Sequence, residues 1–136
     1  MSFLLDTNVI SETRRKRPDS QVMSWLGNVD PAIAHVSVLT FGEIAKGIAQ
    51  RARYDAVEAE VLRDWLDATR RRYADRTIAI DTEISEVWGR LTAKRTLPVI
   101  DGLLAATALV RDMIFVTRDT RDTTGTGVRT FNPWIA

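Results

Sequence analysis

The feature that most limits what this chain can become is its opening, Phe3-Leu4-Leu5-Asp6, three apolar residues without polar alternation, ended by a carboxylate and the polar pair Thr7-Asn8. A strand with one face in water alternates apolar and polar residues, whereas a strand covered on both faces reads as an unbroken apolar run. The opening therefore predicts a strand in a parallel sheet clothed by helices. Asp6 then falls at the strand's carboxyl end, the edge at which open α/β sheets take their ligands.

The rest of the chain alternates in the same way. Short apolar runs at Ala32 to Val36, Thr77 to Ile80, Met113 to Thr117 and Val128 to Phe131 predict four more strands. Short helices are expected at Asn8 to Thr13 and Ser20 to Gly27, the second presenting Val22, Met23 and Leu26. Ser37 is placed to cap a helix from Val38 to Gln50, whose stripe is Phe41, Ile44, Ala45 and Ile48. Across Arg51-Ala52-Arg53 a partner helix, Tyr54 to Tyr73, repeats Val57, Val61, Trp65 and Leu66 on one face, giving a helix hairpin. Asp81-Thr82 opens a helix to about Arg95 through Ile84, Val87, Trp88 and Leu91, which Pro98 blocks from continuing. Asp101-Gly102 opens Leu103 to Asp112, apolar around most of its circumference and so predicted to be central. The pattern predicts an α/β fold with a mainly parallel sheet of roughly five strands flanked by helices. At 136 residues it fits one domain, residues 1–136, with a core large enough to need no staples.

What the chain lacks narrows the chemistry. It has no cysteine, which excludes disulfides, a thiol nucleophile and Cys-containing zinc sites. Its one histidine, His35, lies within a predicted strand with nothing nearby to orient it, so histidine-pair nucleases and Ser-His-Asp hydrolases find no support. No apolar run approaches the roughly 20 residues needed to span a bilayer. The N-terminus has neither the basic start nor the long apolar stretch of a secretory signal, so a cytoplasmic protein with no membrane role is expected. A net charge of +1 does not itself point to nucleic acid.

Four acids stand where elements begin or end, or on the edge of an apolar stripe: Asp6, Glu43, Asp101 and Asp119. Each has a plain alternative. Asp6 and Asp101 are both placed to cap helices, Glu43 is spaced to pair with Lys46 on a helix surface, and Asp119 suits a turn. Their shared topology argues for more, because the carboxyl ends of parallel strands point to one edge of the sheet. Carboxylates gathered there raise one another's pKa unless a cation neutralises them. All-oxygen ligands select hard ions, Mg²⁺ with Mn²⁺ as a substitute, and such an ion activates water and steadies charge on a phosphoryl group without a histidine.

The stretches Leu5-Asp6-Thr7-Asn8-Val9-Ile10-Ser11-Glu12, then Glu43, then Pro98-Val99-Ile100-Asp101-Gly102-Leu103-Leu104-Ala105-Ala106-Thr107-Ala108, and Val116-Thr117-Arg118-Asp119 resemble the PIN-domain nucleases. More narrowly they are similar to the VapC toxins of bacterial toxin-antitoxin pairs, in their FitB-like branch. The ending, Gly127-Val128-Arg129 to Asn132-Pro133-Trp134, resembles that branch too. The resemblance implies a PIN-like three-layer sandwich. It implies that Asp6 and Asp101 are principal metal ligands, Glu43 a third acid and the Val116–Asp122 segment the source of a fourth. Many relatives carry Asn at the Asp119 position and a later Asp before Phe, whereas here Asp119 and Asp122 are both acidic and Thr123 follows. Asp119, closer to the strand end, is the choice. Thr7, Asn8, Thr117 and Arg118 are candidates for orienting ligands or contacting substrate, with helix capping the plain alternative for Thr7 and Asn8.

The implied activity is a divalent-metal-dependent endoribonuclease, the toxin of a type II pair, cutting structured RNA. The implied partners are a cognate antitoxin that blocks the acidic groove, the RNA substrate and a second copy in a homodimer. The amphipathic hairpin, Val38 to Gln50 with Tyr54 to Tyr73, is a candidate antitoxin surface. Arg14-Arg15-Lys16-Arg17 and Arg70-Arg71-Arg72 are candidate RNA-backbone contacts, or simply solvated faces. Of Trp25, Trp65, Trp88 and Trp134, Trp65 and Trp88 lie on apolar stripes and are expected in the core. Two rivals stand beside this reading. A phosphotransfer domain with Asp6 as nucleophile wants a second acid two residues on, where Asn8 stands. A catalytically silent PIN-like binding module acting through a partner predicts no carboxylate-dependent metal uptake.

Overall fold

The computed structural model describes residues 1–135. Five strands, β1 (Phe3–Leu5), β2 (Ala34–Ser37), β3 (Thr77–Ile78), β4 (Ile114–Val116) and β5 (Thr130–Phe131), form one sheet in the order β3-β2-β1-β4-β5. All four neighbouring pairs are parallel, so the sheet is wholly rather than mainly so. The chain runs outward from β1 through β2 to β3, then crosses back to β4 on β1's other side. The strand order therefore reverses between β1 and β4, and the carboxyl end of that crevice is where a ligand fits such a sheet.

Six helices clothe it: α1 (Thr7–Glu12), α2 (Ser20–Asn28), α3 (Val38–Arg51), α4 (Ala56–Arg72), α5 (Thr82–Lys94) and α6 (Val99–Val110). Successive β1 side chains point to opposite faces, so Leu5 joins one core and Leu4 the other, both fully buried. The first core gathers Val9 and Ile10 of α1, Val22 of α2, Ile44 and Ile48 of α3 and Leu66 of α4. The second gathers Ile84 of α5 with Leu104, Ala106 and Ala108 of α6. Helices on both faces of one sheet make the expected three layers, and the full burial of a leucine on each side contributes about 1.5–3 kcal/mol apiece.

Several local expectations shift. The strand expected from Ala32 begins at Ala34, because Asp30 caps a 3₁₀ turn at Pro31–Ile33 by accepting from Ala32 N. β3 ends at Ile78, short of Ile80. The α3–α4 hairpin forms, yet Val57 and Val61 of α4 are exposed, and the buried face is Ala59 and Leu66 with half-buried Leu62 and Trp65. Trp65 and Leu66 thus face the core as expected, and the stripe continues toward the helix start through Leu62 and Ala59 rather than Val61 and Val57. Within the loop after β4, Thr120–Thr123 forms a 3₁₀ turn. α6 starts at Val99, so Asp101 lies inside the first turn and caps nothing.

Candidate active site

Asp6 ends β1 with extended backbone and caps α1: its Oδ1 accepts from Thr7 N at 2.7 Å. Its backbone N–H continues the sheet, donating to Val116 O at 2.9 Å. The crevice between β1 and β4 thus carries Asp6 on one side and, on the other, Thr117, whose hydroxyl donates to Asp6 Oδ2 at 2.7 Å. Both oxygens of Asp6 are held, and capping accounts for only one. Burial nevertheless outweighs these bonds, and with the charges of Asp101 and Glu43 it pushes the Asp6 carboxyl from 3.8 up to about 6.

Glu43 reaches the same place from α3. Its Oε1 accepts a short hydrogen bond from the Thr7 hydroxyl. The hydroxyls of Thr7 and Thr40 lie 3.2 Å apart. With its single proton committed to Glu43, Thr7 accepts from Thr40. The Glu43–Lys46 surface pair is not among the ion pairs of the described residues. Thr7 therefore joins two of the acids, bonding Asp6 through its backbone N–H and Glu43 through its hydroxyl. Thr40, fully buried, went unrecognised in the sequence. Its signal was a hydroxyl residue on the α3 stripe, four residues before Ile44 and three before Glu43.

Asp101 arrives from the second layer, in the first turn of α6. Its carboxyl is pushed up by burial, then by the charges of Asp122, Glu43 and Asp119, and no hydrogen bond contributes. Asp119 and Asp122 are exposed at the rim. Asp119 N donates to the Thr117 hydroxyl at 3.2 Å, which ties its backbone, not its carboxylate, to Asp6. Asp122 is raised by partial desolvation and by Asp119, its hydrogen-bonding neighbour, against the pull of Arg121 and Arg95. Asp122 bears on Asp101 more strongly than Asp119 does.

All four predicted acids and Asp122 therefore share one electrostatic neighbourhood. Among the described residues, no three of them converge closely enough to hold a metal ion as a closed cage. Mg²⁺ does not need one, since it takes one or two carboxylates directly and fills its octahedron with waters. A hard divalent ion fits the donor set, which is all oxygen and contains carboxylates that repel one another without it. The buried Oδ1 of Asn8, two residues after Asp6, has no hydrogen-bond partner. The Arg118 guanidinium lies over the Trp134 ring at 5.3 Å, and its carbonyl accepts from Asn132. His35 Nδ1 lies 3.2 Å from Ile33 O, a strand residue's local contact.

Away from the acids, a groove of about 710 Å³ lies between α2 and α4, lined by Met23, Leu26, Trp65, Ala68 and Tyr73, with Arg72 among its basic residues. The hairpin was the expected docking surface. Of its two helices only α4 lines this groove, with α2, because α3 turns its apolar stripe into the first core. No helix among the described residues is long and apolar enough to cross a membrane.

Residues 3–123 match the family described as PIN domain. The chain is similar to Toxin FitB of Neisseria gonorrhoeae, at 30% identity over 97% of this chain and 98% of the relative. It is similar to VapC ribonuclease Y4jK of Sinorhizobium fredii, at 29% identity over 97% of each. The solved structure of FitAcB from Neisseria gonorrhoeae superposes with a TM-score of 0.88 at 29% identity, covering 98% of this chain and 99% of that one.

Proposed function

Because the chain belongs to the PIN-domain family, we propose that it is a divalent-metal-dependent endoribonuclease, the toxin of a type II toxin-antitoxin pair, hydrolysing phosphodiester bonds in structured RNA. The observation that carries this reading is that Asp6 and Glu43, joined through Thr7 at the crevice where the strand order reverses, lie within the charge field of Asp101 from α6. The names of the relatives, a toxin and a ribonuclease, support the activity.

Asp6 and Asp101 are the principal ligands for Mg²⁺, or Mn²⁺ in its place, with Glu43 the third acid and Asp119 with Asp122 supplying the fourth. When bound, the ion lowers the pKa of water and steadies charge on the transferring phosphoryl group. The chain's own residues set the geometry. Thr117 and Thr7 N hold the two oxygens of Asp6, and Thr7 turns Glu43 toward it. Asn8 presents an unpaired buried oxygen beside them. Arg118, stacked on Trp134, forms a rim on which an RNA base or phosphate can rest.

The α2–α4 groove is an apolar trough with basic residues at its side, the chemistry that takes an amphipathic segment with acidic flanks. We assign it to the antitoxin. The working assembly is a homodimer in the cytoplasm, where the RNA is, and the whole chain acts as one domain.

The test is cleavage of transfer RNA by the purified full chain. Cleavage is expected with Mg²⁺, is lost on chelation and is lost in Asp6→Asn and Asp101→Asn with circular dichroism unchanged. A chain that neither takes up a divalent ion nor cuts RNA would be the silent binding module instead.

A further inference from the structure

The carboxylates of Asp6 and Glu43 are held in place by hydrogen bonds, but among the described residues the Asp101 carboxylate has none. Nor is the start of its helix fixed by a cap, since Pro98 stands in the capping position and makes no side-chain hydrogen bond there. The placement of Asp101 therefore depends on how α6 is packed. α6 packs against α5 more extensively than any other two elements pack together.

One contact of that interface lies next to Asp101 in the chain, at Gly102. A Cβ added there would lie 3.0 Å from Trp88 Cδ1 and 3.1 Å from Trp88 Nε1, with Leu97 Cβ at 3.6 Å. A methyl there would force the indole to give by a few tenths of an ångström, so the indole edge rests on bare backbone one residue from the carboxylate. The indole is not held there by a polar bond, because Nε1 is buried without a partner. Interiors are packed closely enough that a displacement at such a point is passed on to its neighbours.

We propose that Trp88, pressed against Gly102, is the positioning residue for Asp101: the indole edge sets how deep the first turn of α6 sits on α5. That depth fixes the distance from Asp101 to Asp6 and Glu43 on the other side of the crevice. Trp88 touches neither substrate nor ion. It does for the second layer what Thr7 and Thr117 do for the first, by shape rather than by hydrogen bonding. The inference rests on reading Asp101 as a metal ligand.

The experiment is Mn²⁺ titration of the full chain by calorimetry, beside thermal melts. Gly102→Ala is expected to weaken Mn²⁺ binding about tenfold, as loss of a ligand's outer support does. Trp88→Leu, which removes the indole edge, is expected to weaken Mn²⁺ binding to a similar extent. Trp25→Leu, truncating a half-buried tryptophan on the opposite face, is expected to lower the melting temperature and leave Mn²⁺ affinity unchanged. Should Gly102→Ala fail to fold, Trp88→Phe keeps a ring with a shorter edge and is expected to weaken binding several-fold. Wild-type affinity in the folded Gly102 and Trp88 variants overturns the proposal while leaving the metal reading intact. Equal weakening in Trp25→Leu overturns it as well, since the effect would then be general loss of packing. A wild-type chain that takes up no Mn²⁺ overturns both together.

Discussion

The two sides of the acidic crevice are built differently. On the β1 side, the carboxylates of Asp6 and Glu43 are joined through Thr7, Thr40 and Thr117, and every link is a hydrogen bond. On the α6 side, no hydrogen bond acts on the Asp101 carboxyl, which feels Asp122 and Asp119 through charge and is placed by packing. The difference tracks the sheet. A strand end in a parallel sheet has fixed backbone and a helix start beside it, so short hydroxyl residues reach across. A helix in an outer layer has no such frame, and its position depends on the fit of its side chains.

The largest effect that tests this contrast is on stability without metal. The Asp6 carboxyl is raised by the fold, so the folded state takes up a proton more readily than the unfolded chain. Stability is thus greatest at and below about pH 4 as far as this group is concerned, and is lost as pH rises through about 6. The difference corresponds to about 3 kcal/mol at pH 8. Denaturant melts in chelator should show the metal-free protein gaining stability between pH 8 and pH 5, with the gain much reduced in Asp6→Asn. That variant should be the more stable protein at pH 8. An equal flattening by Asp101→Asn would erase the contrast, because Asp101 is the less buried of the two.

Next in size is the hydroxyl wiring. Thr117→Val keeps shape and removes the donor to Asp6 Oδ2. Cleavage is expected to fall about 10–100-fold, with the Asp6 carboxyl titrating still higher by NMR. A Thr117→Val enzyme of wild-type rate would mean that the β1 side is no better wired than the α6 side. The smallest effects are expected at the rim. Asp119→Asn and Asp122→Asn should each cost less than about tenfold, with Asp122→Asn the larger because it bears more on Asp101. The reverse order would single out Asp119 as the fourth acid.

The same contrast explains what could be read in the sequence. Asp6 was legible because an unbroken apolar run and a following polar turn dictate a buried parallel strand and its carboxyl end. The parallel sheet, the helices on both faces and the central α6 followed from the same local patterns. Asp101 was legible as an acid at a helix start, but its position within the turn was not, since Pro98 rather than Asp101 marks where the helix begins. Thr40 and the Trp88–Gly102 contact were not legible. Each depends on a partner 33 or 14 positions away, and spacing within one element carries no information about which neighbour it meets. The buried face of α4 was read correctly at Trp65 and Leu66 and misjudged toward its start for a related reason, as the fold turns Ala59 and Leu62 inward and leaves Val57 and Val61 exposed.

That Asp6 and Asp101 act on one divalent ion is tested most directly by calorimetric titration of Mg²⁺ or Mn²⁺ at pH 6 in buffers of different ionisation enthalpy. A ligand must be deprotonated to bind, so about half a proton should leave per ion bound, from Asp6. Binding should be lost in Asp6→Asn and in Asp101→Asn alike. Uptake of the ion with unchanged affinity in either variant, or none by the wild-type chain, would contradict it.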